Sequence, residues 1–148
     1  MKLDNQNVLR AVLDTNVFVS GGTISEGAPS QVINHWRNND FVMIASQDLI
    51  KEYEEVLLRP YVMKYTGLSI QETKHYVDEV IHRAYITSGT LTLNILKDDP
   101  DDNIVLACAD EGKATHLVTG NKKHFPFLDY KGIQIVSPHK FLFQLEEK

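Results

Sequence analysis

Three groups of acidic residues in this chain stand where carboxylates can do chemistry. Asp14 follows the apolar run Val8-Leu9-Arg10-Ala11-Val12-Leu13. A run of that kind reads as a buried β-strand, and open α/β sheets place their ligands at the carboxyl ends of such strands. Glu52, Glu54 and Glu55 share one stretch of helical periodicity, and Asp98, Asp99, Asp101 and Asp102 crowd around Pro100. Carboxylates from separate segments could together hold one or two hard divalent cations, which prefer oxygen ligands. Ions held in this way activate a water and stabilise charge on a phosphate in transfer. The pattern therefore suggests a metal site for phosphodiester chemistry.

Each group also has a plainer explanation. Asp14 can cap or bond its own loop. The helix carrying the glutamates has apolar residues Leu49, Ile50, Tyr53, Val56 and Leu57, so its buried stripe centres near Tyr53. With about 100° per residue, Glu55 faces solvent while Glu52 and Glu54 both fall on the edges of the stripe. Periodicity does not separate those two. Acidic residues before a helix serve as caps and complement the helix dipole. One cap needs one carboxylate, however, and the crowd around Pro100 exceeds that need. Such neighbours repel unless a cation or solvent separates them. Asp102 is best placed for a rigid inward ligand because the helix begins there. Asp101 or Asp102 is the expected cap.

The elements that must position these groups alternate between strand and helix. The first strand runs from about Val8 to Leu13, followed by a loop from Ser20 to Gly27. Pro29 suits the first turn of a helix carrying Val32, Ile33 and Trp36. Phe41 to Ala45 reads as a second buried strand. Ser46 can N-cap the glutamate-bearing helix, which Pro60 ends. Ser69 and Glu72 form a capping-box pattern ahead of a third helix. Thr90 to Leu96 alternates weakly and is expected to be extended. A short helix then runs to about Glu111, with Gly112 near its end. His116 to Thr119 and Ile133 to Val136 read as strands, and Ser137-Pro138 opens a final helix. Asp129, beside Tyr130-Lys131-Gly132, reads as part of a turn. Strands separated by helices imply an α/β fold with a central, mainly parallel sheet covered on both faces.

Composition bounds the function. The chain has 148 residues, enough for one domain with a real core, and 43% of them are hydrophobic. Its net charge of −5 argues against a strong nonspecific nucleic-acid binder but is compatible with a nuclease whose cations supply positive charge. The single cysteine, Cys108, sits in an apolar run and reads as a core residue, so a reducing, cytoplasmic setting is expected. No apolar stretch approaches the ~18 residues of a membrane span. The histidines are scattered without metal-motif spacing, and there is no glycine-rich phosphate loop and no G-x-S-x-G motif.

At this point the chain resembles the PIN-domain family, particularly its prokaryotic VapC-like toxin components. The pieces appear in the family's order. They are Val12-Leu13-Asp14-Thr15-Asn16 at the first strand, and Ser46 followed by Glu52 with Val56-Leu57-Leu58-Arg59-Pro60 after it. Then come Asp98-Asp99-Pro100-Asp101-Asp102-Asn103 before a helix, and Leu117-Val118-Thr119-Gly120-Asn121-Lys122 after a strand. The resemblance covers nearly the whole chain as one domain, residues 1–148, and implies a three-layer α/β sandwich. It implies a Mg²⁺- or Mn²⁺-dependent ribonuclease in which Asp14, Glu52 and Asp102 are the metal-binding acids, with Asp99 as an outer helper. It favours Glu52 over Glu54. It gives Thr15, Asn16 and Thr119 supporting roles, the two threonines orienting carboxylates or water. Lys122 and Lys123 would hold flanking phosphates of single-stranded RNA. A cognate antitoxin and self-association into a dimer or higher oligomer belong to the same implication.

One position departs from the family pattern. Where T-G-D is common, this chain has Thr119-Gly120-Asn121. An amide can ligate a cation through oxygen but adds no negative charge. Weakened metal binding is expected at Asn121, and a catalytically weakened or inactive RNA- or protein-binding domain is the alternative. A phosphatase with Asp14 as nucleophile would need a second aspartate where Asn16 stands, which counts against it.

Overall fold

A computed structural model describes residues 8–23, 25–96, 100–121 and 124–147. Its centre is a six-stranded sheet in the order β3-β2-β1-β4-β6-β5. The strands are β1 (Arg10–Leu13), β2 (Val42–Ala45), β3 (Tyr85–Ile86), β4 (His116–Val118), β5 (Asp129–Tyr130) and β6 (Ile133–Val136). All neighbours are parallel except the β5–β6 hairpin. The chain leaves β1 toward β2 on one side and later returns to lay β4 on the other. The crevice between the carboxyl ends of β1 and β4 is thus a topological switch point, the usual ligand position in open parallel sheets.

Consecutive residues of the central strands are buried, including Ala11, Val12 and Leu13 of β1 and Met43, Ile44 and Ala45 of β2. Side chains alternate across a strand, so burial without alternation means that both faces are covered. The covering helices are α1 (Thr15–Gly21), α2 (Ala28–Arg37), α3 (Gln47–Leu57), α4 (Pro60–Thr66), α5 (Ile70–Arg83), α6 (Pro100–Glu111) and α7 (Pro138–Glu146). The α6 helix packs on β1, β2 and β4, and α5 packs on β2. Close packing of α6 depends on Gly112, where an added Cβ would lie 2.5 Å from a methyl of Ile44. No helix among the described residues is long and apolar enough to cross a membrane.

Several helix starts lie where the side chains direct them. Ser46 caps α3 by accepting from the Leu49 amide at 3.2 Å, and Ser137 caps α7 by accepting from the Lys140 amide. Ser69 and Glu72 complete a reciprocal capping box at α5.

Elsewhere the structure corrects the sequence reading. The chain enters α1 directly after Asp14, where no helix was expected. Pro60 does end the preceding helix, but it also occupies the first turn of α4, a position proline tolerates. Thr90 to Leu96 is not a strand. Its backbone donors are taken by side chains instead: Glu111 accepts from the Thr90 and Leu91 amides, and Asn103 from those of Ile95 and Leu96. The strand in this region is β3, which pairs Tyr85 and Ile86 with Ile44 and Ala45. Asp129 lies in β5 and accepts from the Gly132 amide at 3.0 Å across the turn that follows.

Candidate active site

The sheet end carrying Asp14 is fixed from both sides. The Asp14 amide donates to the Val118 carbonyl at 2.9 Å, joining the tips of β1 and β4. One carboxylate oxygen accepts from the Thr15 amide at 2.8 Å, so Asp14 is the N-cap of α1. The other accepts from the Thr119 hydroxyl at 2.8 Å. Thr119 is itself held by its amide, which donates to the Val136 carbonyl of β6. The helix cap and the contact with Thr119 use different oxygens of Asp14.

Glu52 reaches the same place from α3. Its helix is anchored through the residue beside it: the buried Tyr53 hydroxyl donates to the Leu13 carbonyl, the last of β1. The Tyr53 ring stacks on Phe18 of α1 at 4.1 Å, and Phe18 stacks on Tyr76 of α5 at 4.2 Å. This three-ring stack sets α3 against α1 and turns Glu52 toward Thr15, whose hydroxyl donates to the Glu52 carboxylate. Of the two glutamates that periodicity leaves tied, Glu52 makes this contact, while Glu54 is half-buried and has no contact with Thr15 among the described hydrogen bonds.

Glu52 also meets a residue that sequence reasoning passed over. Asp101 of α6 is near enough to raise the Glu52 carboxyl. Burial pushes Glu52 up to about 7, the Thr15 hydroxyl opposes the shift, and Asp101 and the Asp14 charge reinforce it. Asp14, Glu52 and Asp101 therefore form one electrostatic group. The expectation that Asp101 or Asp102 caps the helix is corrected: α6 begins at Pro100, so both lie inside its first turn. A step of about 100° then sends them different ways. Asp101 is exposed on the side of Glu52, and Asp102 is buried.

Asp102 faces a third segment. Its Oδ2 lies 3.1 Å from Nδ1 of His124. The other ring nitrogen of His124 meets the Asn121 side-chain amide nitrogen at 3.0 Å, and the Asn121 backbone amide donates to the Thr119 hydroxyl at 3.1 Å. A chain of contacts thus runs from Asp14 through Thr119, Asn121 and His124 to Asp102. No local spacing signals His124, because its partner is on another element.

A model of the PIN domain matches residues 10–123, from the start of β1 past Asn121. This chain belongs to the PIN-domain family. The fold is of the nuclease type that PIN domains generally carry. An uncharacterized protein of Methanocaldococcus jannaschii is 28% identical over 114 residues, which is 77% of this chain and 72% of that protein. The match is to the PIN domain at large, which is coarser than the VapC-like toxin group that the motifs resemble.

Within this PIN domain the remaining expected residues divide. Asn16 is exposed on α1. Asp99, Lys122 and Lys123 lie outside the described residues. A cation not foreseen from sequence is Arg59, whose guanidinium is raised chiefly by the Tyr61 hydroxyl and also feels Glu52 and Glu55. Cys108 is buried, and burial pushes its thiol up to about 12, as befits a core residue.

The donor set suits a hard divalent cation in chemistry, being carboxylate oxygens supported by hydroxyls. Yet among the described residues no three acidic, histidine or cysteine side chains are gathered as a ligand set. The carboxylates are turned toward the Thr119 and Thr15 hydroxyls and His124.

Proposed function

We propose that this PIN domain is a divalent-cation-dependent ribonuclease, the toxin of a toxin–antitoxin pair. The observation that carries the reading is the convergence of Asp14, held by Thr15 and Thr119, with Glu52, held by the Thr15 hydroxyl. Acidic groups are drawn together there at the carboxyl edge of the sheet, in a chain already of net charge −5. Asp14, Glu52 and Asp102 would hold Mg²⁺ or Mn²⁺, with Asp101 beside them and Asp99 as an outer helper. When bound, the cation supplies a lowered pKa for water and neutralisation of charge developing on the phosphate.

The chain's own residues do the rest. Thr119 and the Thr15 amide hold the two oxygens of Asp14 in place, and the Thr15 hydroxyl orients Glu52. Glu52 must give up its proton before it can serve as an anionic ligand. Arg59, within electrostatic reach of Glu52, would hold a flanking phosphate together with Lys122 and Lys123. Single-stranded RNA, a cognate antitoxin and self-association follow from the motif resemblance.

The test is cleavage of single-stranded RNA by purified protein. Turnover should require Mg²⁺ or Mn²⁺, stop on chelation, and be lost in Asp14→Asn. Cleavage that survives chelator, or that Asp14→Asn leaves intact, overturns the reading. Asn121 favours a second reading, a noncatalytic PIN domain that binds RNA or a protein partner. Its signature is RNA binding without turnover even in Mn²⁺.

A further inference from the structure

The family's usual fourth acid is replaced here by Asn121, and the structure puts an imidazole beside it. His124 lies between two partners on opposite sides of its ring. Nδ1 is 3.1 Å from Oδ2 of Asp102, and Nε2 is 3.0 Å from Nδ2 of Asn121. Both contacts together specify one tautomer. The Asn121 amide nitrogen can only donate, so Nε2 accepts. Nδ1 then carries the hydrogen and donates it to Asp102. The amide at position 121 thus does something an aspartate would not: it presents a donor to the ring and leaves the Nδ1–H for Asp102.

The burial is lopsided in a way that gives this contact a purpose. The Asp102 side chain is 8% exposed, whereas the His124 side chain is 41% exposed. A buried carboxylate needs donors. The bond to His124 fixes one oxygen of Asp102 and with it the plane of the carboxylate. A hydrogen bond from an outer partner is how proteins orient a ligating carboxylate, and such partners are worth about 10- to 100-fold in metal affinity. The Asn121 amide is fixed in turn through its backbone N–H on Thr119, which also holds Asp14. One polar chain therefore positions the first and third acids together.

We infer that His124, held as its Nδ1–H tautomer by Asn121, is the positioning residue that orients Asp102 for the cation. The inference rests on the cation-dependent reading above. It assigns Asn121 to the imidazole and not to the cation.

The experiment measures Mn²⁺ affinity by calorimetry in the full chain, with imidazole ¹⁵N NMR on the metal-free protein. The expected NMR result is a single His124 tautomer protonated at Nδ1. A ring protonated at Nε2, or one averaging between tautomers, overturns the inference. His124→Ala should weaken Mn²⁺ binding by about 10- to 100-fold with no change in thermal midpoint. His124→Asn places an amide nitrogen where Nδ1 was and should recover most of the affinity. His124→Gln, which reaches toward Asn121 instead, should not. Parental affinity in His124→Ala, or equal recovery by both amides, overturns the role of His124 while the cation reading stands. Failure of the parent chain to bind Mn²⁺ at all overturns both.

Discussion

Two regions of the molecule contrast in how their charges are arranged. One is a groove of about 950 Å³ between α1, α2 and α5, lined by residues including Thr23, Asn34, Arg37, His75 and Glu79. The other is the sheet edge at the tips of β1 and β4, where Asp14 and Glu52 stand. In the groove, the principal charges answer each other: Glu79 accepts from two nitrogens of Arg37 at 2.7 and 3.0 Å. At the sheet edge, carboxyls neighbour one another, and hydroxyls and an imidazole hold them in place. Volume alone would point to the groove. Chemistry points to the sheet edge, because a site must keep charge available for a ligand, and the raised Glu52 carboxyl beside Asp14 marks such a place.

The largest expected effect separates the two regions directly. Asp14→Asn should reduce cation-dependent RNA cleavage on the order of 10²- to 10³-fold, the loss seen when one preorganised electrostatic group is removed from a site. Arg37→Gln in the groove should cleave as the parent does. Rate measurements under saturating Mn²⁺ would check both. Equal losses in the two variants would break the distinction between the regions.

A smaller effect concerns how the crevice is built. Tyr53→Phe removes the hydroxyl that holds the Leu13 carbonyl in a fully buried position. The loss should be about 1–2 kcal/mol in urea unfolding, because the carbonyl is left without that donor. The Phe18–Tyr53 stack survives in this variant, so Glu52 should keep its place and Mn²⁺ affinity should change little. A large loss of affinity with little loss of stability would show that the hydroxyl, and not the stack, sets the position of α3.

What the sequence made legible follows the same division. The parallel sheet could be read because its strands are short apolar runs, two of them ending at the helix caps Ser46 and Ser137. Asp14 could be read because it terminates such a run. The α1 helix could not, since it is only seven residues long and Val17-Phe18-Val19 are consecutive and all buried. Asp101 was obscured by its neighbours: one helical step decides which of two adjacent aspartates meets Glu52, and that step depends on where α6 begins. His124 was invisible because its link to Asp102 exists only after β4 lies beside β1. Local patterning carries elements and their caps, while the pairing of side chains between segments depends on tertiary register.

The next test uses the proton on Glu52. Its carboxyl rises from the ordinary 4.5 to about 7 in the folded chain, chiefly through burial. Between those values the folded state holds a proton that the unfolded state has released. Stability of the cation-free protein should therefore fall as pH rises through that window and level off above about 7. Glu52→Gln should flatten this decline, as read from urea midpoints at the two ends of the window in chelator. An unchanged slope would place the strain elsewhere in the acidic group.

The smallest effect probes the groove. Glu79→Gln keeps an oxygen that can accept from Arg37 but removes the charge. The Arg37 and Glu79 side chains are 41% and 20% exposed, so the ion pair is well screened. The expected cost is below about 1 kcal/mol and should shrink further in high salt. Arg37 also sits over the Tyr76 ring at 5.7 Å, and Tyr76 is the outer member of the stack that reaches Tyr53 through Phe18. The groove and the crevice are therefore joined by three aromatic rings. If the regions are energetically separate, Glu79→Gln leaves Mn²⁺ affinity at the parental value. A shift in that affinity would mean that the stack transmits the position of Arg37 to α3, and that the groove helps to set the acids it does not contain.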